Sequence, residues 1–254
     1  GERRGSVGRM AKFALRRAAI KAVSGVIAPF RLFSLSPFRG RIERILIAPQ
    51  DLRTSDPTAA GDIYSGYFAF AGKILATEGQ SPFIAIPPSR AWAETLNGFG
   101  WLRDIRAADT ALSRANARTL VDDWIKTHGR PNTSEAWART VIARRLLSWI
   151  SHSPVILDGA DRAFYRRFMM SIRRQAAYLW KKSRSFGAEA GRLEAAIALT
   201  AVALCTNLGL GRKRRVVKHL IKQLQKEILS DGGHIGRNPQ TLIDLLADLL
   251  PLKH

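Results

Sequence analysis

Cysteine and acidic residues are the two classes that this sequence has little of. Its 254 residues include one cysteine, Cys205, which excludes an intrachain disulfide and a cysteine-based zinc site. Cys205 stands in an apolar run, where a small buried hydrophobic side chain is its expected role. Histidines and acids are scattered without ligand spacing, so we predict no metal site and no cofactor.

Long uncharged runs are also missing. The longest begins at Ala195 and ends before Arg212, and it contains Thr200 and Thr206. A span across a bilayer needs about 20 apolar residues, so we predict no transmembrane helix. The apolar stretch in residues 13–33 is interrupted by arginine and lysine, so no signal peptide is evident.

Basic residues are abundant where acids are scarce. The chain has 41 lysines and arginines against 20 acids, a net charge of +21. Residues 1–44 carry a net charge of +9, and two further segments, 162–185 and 211–226, contain eight and seven basic residues and no acid. Such a charge predicts a polyanionic partner, which composition leaves open among nucleic acid, an anionic membrane surface and an acidic polysaccharide.

Apolar residues at helical spacing predict an all-α fold. Short joints between consecutive helices indicate antiparallel hairpins, which either close into a toroid or form an open array. Asn238-Pro239 is a favoured cap and first helical position. The helices are predicted at 91–99, 102–127, 134 to 152–154, 161–183, 188–207, 212–229 and from 238 onward.

Two segments are predicted to be extended. Residues 41–49 alternate enough for a short strand or extended segment, and residues 81–88 are apolar, β-branched and bounded by prolines. We divide the chain into a basic N-terminal helix or arm, residues 1–40, and a helical domain, residues 41–254. The arm either packs on its own domain, stays loose, or lies on an anionic membrane as an amphipathic helix.

Six tryptophans are many for one helical domain. They serve either as anchors between packed helices or, beside arginine, as faces for sugar rings or bases. Tyr64 and Tyr67 lie in an apolar segment and are predicted to be core residues. His152 and His219 are predicted to be structural.

Two motifs resemble the heparinase II/III-type polysaccharide lyases. Residues 137–149, WARTVIARRLLSW, have the family's spacing of Trp137, Arg145 and Trp149. Residues 227–239, EILSDGGHIGRNP, are similar to the family's turn between two toroid helices. The upstream runs around Trp101 and Trp124 match in character, so the resemblance covers roughly residues 41–252.

The resemblance implies an incomplete (α/α) toroid followed, in the full-length protein, by a C-terminal β-sandwich. It implies β-elimination on a uronic-acid polysaccharide in the periplasm or cell envelope. On this basis His234 is the candidate catalytic base or acid, and a second set of residues is predicted to bind an anionic polysaccharide. That set is Arg145, Arg237, Asn238, Trp137 and Trp149.

Several positions depart from the family's pattern. Thr241 and Leu242 stand where the family has Tyr-His, and Gly191-Arg192 stands where it has Asn-His. The expected proton-donating tyrosine is therefore absent. Two alternatives follow: a protein that binds an anionic glycan without cleaving it, and a basic helical nucleic-acid binder, which no motif supports. His234 could instead bond a backbone group, and Arg145 and Arg237 could be structural ion-pair partners.

Overall fold

The computed structural model describes residues 36–184 and 191–253. This part of the chain is mostly helical, as predicted, with ten α-helices and one β-hairpin. The helices are α1 Pro57–Tyr64, α2 Arg90–Gly98, α3 Leu102–Ala108, α4 Ala111–His128, α5 Arg139–Ser151, α6 Ser153–Leu157, α7 Arg162–Ser183, α8 Arg192–Cys205, α9 Leu210–Glu227 and α10 Pro239–Leu249. Short 3-10 turns lie at Pro37–Arg39, Glu135–Trp137 and Leu250–Leu252.

The long helix predicted at 102–127 is two helices, α3 and α4. Asp109 takes a left-handed conformation with φ 45° and ends α3. Thr110 then caps α4, and its hydroxyl and that of Ser113 each accept a hydrogen bond from the other residue's backbone N–H. This reciprocal cap favours a new helix start over continuation, and the apolar periodicity alone did not indicate it.

A hairpin that the sequence analysis missed joins α1 to α2. Strands β1, Tyr67–Phe70, and β2, Lys73–Ala76, pair in antiparallel register around a turn at Ala71 and Gly72. Both turn residues have positive φ, 49° and 72°, which suits a tight two-residue turn. Tyr67 lies on the outer face and Tyr64 at the end of α1, with exposures of 52% and 55%, so their prediction as core residues is wrong.

The first segment predicted to be extended packs against the C-terminal end of α8. The backbone N–H of Leu46 donates to the Cys205 carbonyl at 2.7 Å, and Ile45 forms a bridge with Thr206. The side chain of Asn207 accepts hydrogen bonds from the backbone of Glu43 and Arg44. The second such segment, residues 81–88, contains turns and no strand.

Helix α8 is the centre of the core. Alanine, leucine, isoleucine and valine make it apolar on every side, and it packs against α5, α7 and α9. All six tryptophans are buried, none more than 4% exposed, so they anchor packed helices. Phe99, Trp124 of α4 and Trp149 of α5 form a cluster of edge-to-face contacts with ring centres 5.4–6.3 Å apart.

Within the described part of the chain, no helix is both long and apolar enough to cross a membrane. The predicted basic arm lies almost entirely outside the described residues, so its boundary near residue 40 stays a prediction.

Candidate functional site

An open groove of about 540 Å³ is lined by charged side chains of both signs. Helices α2, α5 and α10 form its walls, with single residues from α3 and the start of α8. Gly98 lies where α2 meets α5, and a Cβ there would come within 3.3 Å of the Arg144 side chain. Glycine at this position therefore leaves room for Arg144 at the groove wall.

Asp248 joins two arginines at one end of the groove. Its carboxylate accepts two hydrogen bonds from the Arg144 guanidinium, at 2.9 and 2.7 Å, and one from Arg53 at 2.7 Å. Burial opposes the charge of Asp248, but these hydrogen bonds and the two positive charges outweigh it and lower its pKa below the ordinary value. The arrangement ties α10 to α5 and to the loop before α1.

The charges of the groove do not suit a polyanion. Arg103 and Arg144 line it together with four acids, Glu94, Glu194, Asp244 and Asp248. Arg144 is already paired with Asp248, and Nε of Arg103 lies 3.6 Å from Asp51 Oδ2. Among the described residues, no group of three histidines, cysteines or acids is arranged to hold a metal ion.

His152 is buried beside this ionic cluster. Its Nδ1 donates to the Ser148 carbonyl at 2.9 Å, and its Nε2 lies 4.0 Å from Asp51 with no hydrogen-bond partner in the described chain. Burial is the main cause that lowers the pKa of His152 to about 4, and the positive charges of Arg106 and Arg103 add to it. Asp51 and the Ser148 carbonyl act in the opposite direction.

His152 should therefore make the fold sensitive to acid. An unfolded histidine titrates near 6.5 and the folded one near 4, so stability is fully present above pH 6.5 and falls as the pH drops towards 4. The full loss of unfolding free energy is about 3 kcal/mol, since a pKa difference of one unit corresponds to about 1.4 kcal/mol. We expect His152→Gln to show a smaller fall in unfolding free energy between pH 7 and pH 4.5 than the wild type, in urea titrations. Equal falls would show that His152 is not the titrating group.

Arg145, predicted to bind substrate, lies inside the core. It is fully buried, and its guanidinium donates to the Gln175 side chain and to the backbone carbonyls of Asn97 and Ala136, at 2.7–3.0 Å. The guanidinium carbon lies 3.9 Å from the Trp124 ring centre. Burial lowers the pKa of Arg145 well below its ordinary value, and no described carboxylate compensates. The predicted alternative of an ion pair therefore gives way to a buried cation held by carbonyl oxygens and an indole ring.

The polar side chains in the turn that contains His234 bond mainly to other residues of the same turn. Nδ1 of His234 accepts a hydrogen bond from the Gly236 backbone at 3.0 Å, and Nε2 lies 3.5 Å from Glu227. Arg237 pairs with Asp231 at 3.1 Å, and Asn238 caps α10 by accepting from the Gln240 backbone. Both ring nitrogens of His234 are thus engaged, one within the turn and one by α9.

The structure does not bring the predicted site residues together. Trp137 and Trp149 are at most 1% exposed, so neither presents a face to a ligand. Neither these tryptophans nor Arg145, His234 and Arg237 line the groove. Thr241, at the position of the family's tyrosine, does line it and has no acidic proton to donate near neutral pH.

Arg144 is the groove residue that the sequence analysis overlooked. It precedes Arg145 in α5, and consecutive helical residues point about 100° apart. Ile142, Arg145 and Trp149 share the buried side, whereas Arg144 and Leu147 line the groove. The spacing of the buried apolar residues was a signal that could have separated the two arginines.

Comparisons with known proteins point away from a lyase. No family model matches the chain, and no solved structure matches it. The chain is 30% identical over 243 residues to FtsZ-localized protein C of Caulobacter vibrioides. The match covers 92% of this chain and 41% of that protein, so the chain spans less than half of its relative's length.

This similarity corrects the function predicted from the motifs. The relative's name connects it with FtsZ and with no polysaccharide, so the predicted polysaccharide lyase domain and its anionic polysaccharide partner are wrong. The predicted periplasmic or cell-envelope location is corrected by the same finding, and the glycan-binding and nucleic-acid-binding alternatives gain no support from it. The motif resemblance itself stays a prediction, as do the roles of the individual site residues.

Proposed function

We propose that this chain is a helical binding module of a cell-division protein, and that it acts where FtsZ lies in the cell. The observation that carries the proposal is the similarity to FtsZ-localized protein C across 92% of this chain. Because the aligned region is 41% of that protein, the module is one part of a larger architecture in the relative. FtsZ association by this module is therefore part of the proposal.

A binding role also fits the geometry of the candidate site. Three acids of the groove, Glu94, Asp244 and Asp248, are held in internal ion pairs, and Asp248 accepts from two arginines at once. His234 is engaged by Glu227 and by a backbone N–H. A catalytic base needs a free nitrogen or carboxylate within hydrogen-bond reach of substrate. The residues singled out by the motifs provide stability and connection between helices instead.

For the fold we propose the incomplete (α/α) toroid of antiparallel hairpins. Support comes from α8, which is apolar on every side and is surrounded by α5, α7 and α9. The consecutive helices α7, α8 and α9 pack each against the next, so these neighbours along the chain are neighbours in space. An experimental structure of the full chain tests this arrangement, and an open array of hairpins with no closing curvature would contradict it.

The proposed role predicts a position in living cells. We expect a fluorescent fusion of the full-length gene product to overlap with FtsZ at the division site and to disperse when FtsZ is depleted. A matched fusion that lacks residues 41–254 should lose this overlap. A signal that ignores FtsZ depletion, or overlap that persists without residues 41–254, would contradict the proposal.

A further inference from the structure

Helix α9 carries a row of exposed cations, which we call the cationic ridge. Its members are Arg214, Arg215, Lys218, Lys222 and Lys226. No described carboxylate lies within ion-pair distance of any of them, whereas Lys126 on α4 pairs with Asp122 and Arg167 on α7 pairs with the same acid. The ridge is thus a concentration of positive charge that the described part of the fold leaves uncompensated.

The spacing along the ridge makes the concentration unfavourable for the helix itself. Arg214, Lys218, Lys222 and Lys226 follow one another at intervals of four, so each faces the next along one side of α9. Like charges at this spacing repel and destabilise a helix. Carboxylates placed between them would relieve the repulsion, and an anionic partner that lies along the ridge supplies such carboxylates.

At Trp180 the ridge meets the C-terminal end of α7, and the positive charge continues there with Arg184. The guanidinium carbons of Arg184 and Arg215 lie 5.6 and 5.9 Å from the Trp180 ring centre, and the His219 ring lies 5.0 Å from it. Nε2 of His219 is buried and has no hydrogen-bond partner in the described chain. Burial, together with Arg184, Lys222 and Lys226, lowers the pKa of His219 to about 4, so the imidazole is neutral at pH 7.

We propose that the cationic ridge binds an acidic polypeptide segment of a partner protein. The inference rests on the proposed function, and it names the chemistry by which this module would recognise a protein at the division site. From Arg214 to Lys226 the helix rises about 18 Å. An extended segment of about six residues covers that length, and its carboxylates meet the lysines and arginines of the ridge.

The two other classes of polyanion fit the ridge less well. A helix that lies in a membrane surface inserts a continuous apolar face, but the apolar residues Val216 and Leu220 of α9 are buried in the core. The exposed large apolar residues of α9 are Leu210 and Ile221, and they stand eleven positions apart. Single-stranded nucleic acid stacks on exposed aromatic rings, and Trp180, where the ridge meets α7, is 4% exposed.

One exposed apolar residue within the ridge, Ile221, indicates a further feature of the partner segment. Ile221 is 48% exposed and stands between Lys218 and Lys222. An apolar side chain in the partner segment would cover Ile221 while its neighbours pair with the lysines. The expected partner is therefore acidic with at least one apolar residue within the segment.

The test compares two triple variants of the full chain with equal net charge. Arg214→Glu, Lys218→Glu and Lys222→Glu reverse the ridge, while Lys73→Glu, Arg130→Glu and Lys253→Glu reverse three exposed cations outside it. Labelled poly-L-glutamate serves as the probe in anisotropy titrations at about 0.15 M salt, where long-range charge effects are screened. Circular dichroism and thermal unfolding establish that both variants fold.

We expect the ridge variant to bind poly-L-glutamate about tenfold more weakly than the wild type, since each exposed ion pair contributes a factor of about two or more. The control variant should lose less than about threefold. Equal losses in both variants would overturn the proposal, because net charge alone would then explain binding. Loss confined to a DNA oligonucleotide or to phosphatidylglycerol vesicles, with poly-L-glutamate binding unchanged, would overturn it as well.

A second titration with purified FtsZ separates this inference from the proposed function. If FtsZ binds the wild type and the control variant but not the ridge variant, both the proposed function and the role of the ridge are supported. If FtsZ binds all three equally, the ridge is not the contact surface and the inference fails while the proposed function stands. If FtsZ binds none of them but poly-L-glutamate still discriminates the variants, the proposed function fails and the acidic-segment surface stands.

Discussion

Replacing Arg145 by alanine is expected to lower the free energy of unfolding by about 3–5 kcal/mol, because the change removes three buried hydrogen bonds and leaves a cavity beneath Trp124. Two backbone carbonyls and the Gln175 side-chain oxygen would lose their donor in a place that water does not reach. Removing a buried charge recovers part of its desolvation cost, but it does not supply those acceptors. Urea unfolding followed by circular dichroism measures the change.

Two further variants identify the cause of that loss. Arg145→Met restores most of the side-chain volume without donors, so we expect a loss smaller than that of alanine but still clear. Arg130→Ala removes an exposed arginine and should change stability by less than about 0.5 kcal/mol. An Arg145→Met protein as stable as the wild type would mean that the three hydrogen bonds contribute nothing net to stability.

Asp248→Ala is expected to cost about 2–4 kcal/mol of unfolding free energy. The change leaves Arg53 and Arg144 facing each other without the carboxylate that joins them, and both side chains are mostly buried, 16% and 30% exposed. The matched control is Asp231→Ala, which breaks the exposed pair with Arg237 and should cost less than about 1 kcal/mol. Equal costs for the two variants would mean that burial adds nothing to the Asp248 interactions.

The contribution of Asp248 should also depend on pH in a defined direction. Its folded pKa is lower than the unfolded value of 3.8, so the stabilisation is present above that value and is lost as the pH falls through the folded pKa. The difference in unfolding free energy between wild type and Asp248→Ala should therefore be constant from pH 7 to about pH 5 and shrink below pH 3.8. A difference that grows on acidification would contradict the assigned charge state.

The helical class of the fold follows from the sequence because apolar spacing is a local signal. The positions of Ile142, Leu146 and Trp149 predict the buried side of α5, and Asn238-Pro239 predicts the start of α10. The break between α3 and α4 depends on one residue in the left-handed conformation and on a hydroxyl cap. Neither of them interrupts the apolar spacing, so that spacing predicts one continuous helix. The hairpin depends on a turn at Ala71-Gly72, which lacks the asparagine or aspartate that usually marks such a turn.

The candidate site was harder to predict because its interactions join distant parts of the chain. Asp248 meets Arg53 across 195 positions and Arg144 across 104, and no local pattern indicates such a pair. The motif around Trp137 and Arg145 consists of residues whose side chains are buried in the core, whereas the side chain of Arg144 lines the groove. A short motif can single out a residue, but only the burial of its side chain shows whether that residue packs in the core or is available to bind a ligand.

Binding between the purified chain and purified FtsZ tests the proposed association of this module with FtsZ. We expect the full chain to bind FtsZ saturably, with an affinity that falls as salt rises because the +21 charge contributes to the attraction. Microscale thermophoresis with labelled chain at several salt concentrations measures this, and an unrelated protein of similar charge serves as the control. Saturable binding by this chain and not by the control protein would support the association, whereas no binding, or binding equal to that of the control protein, would rule it out.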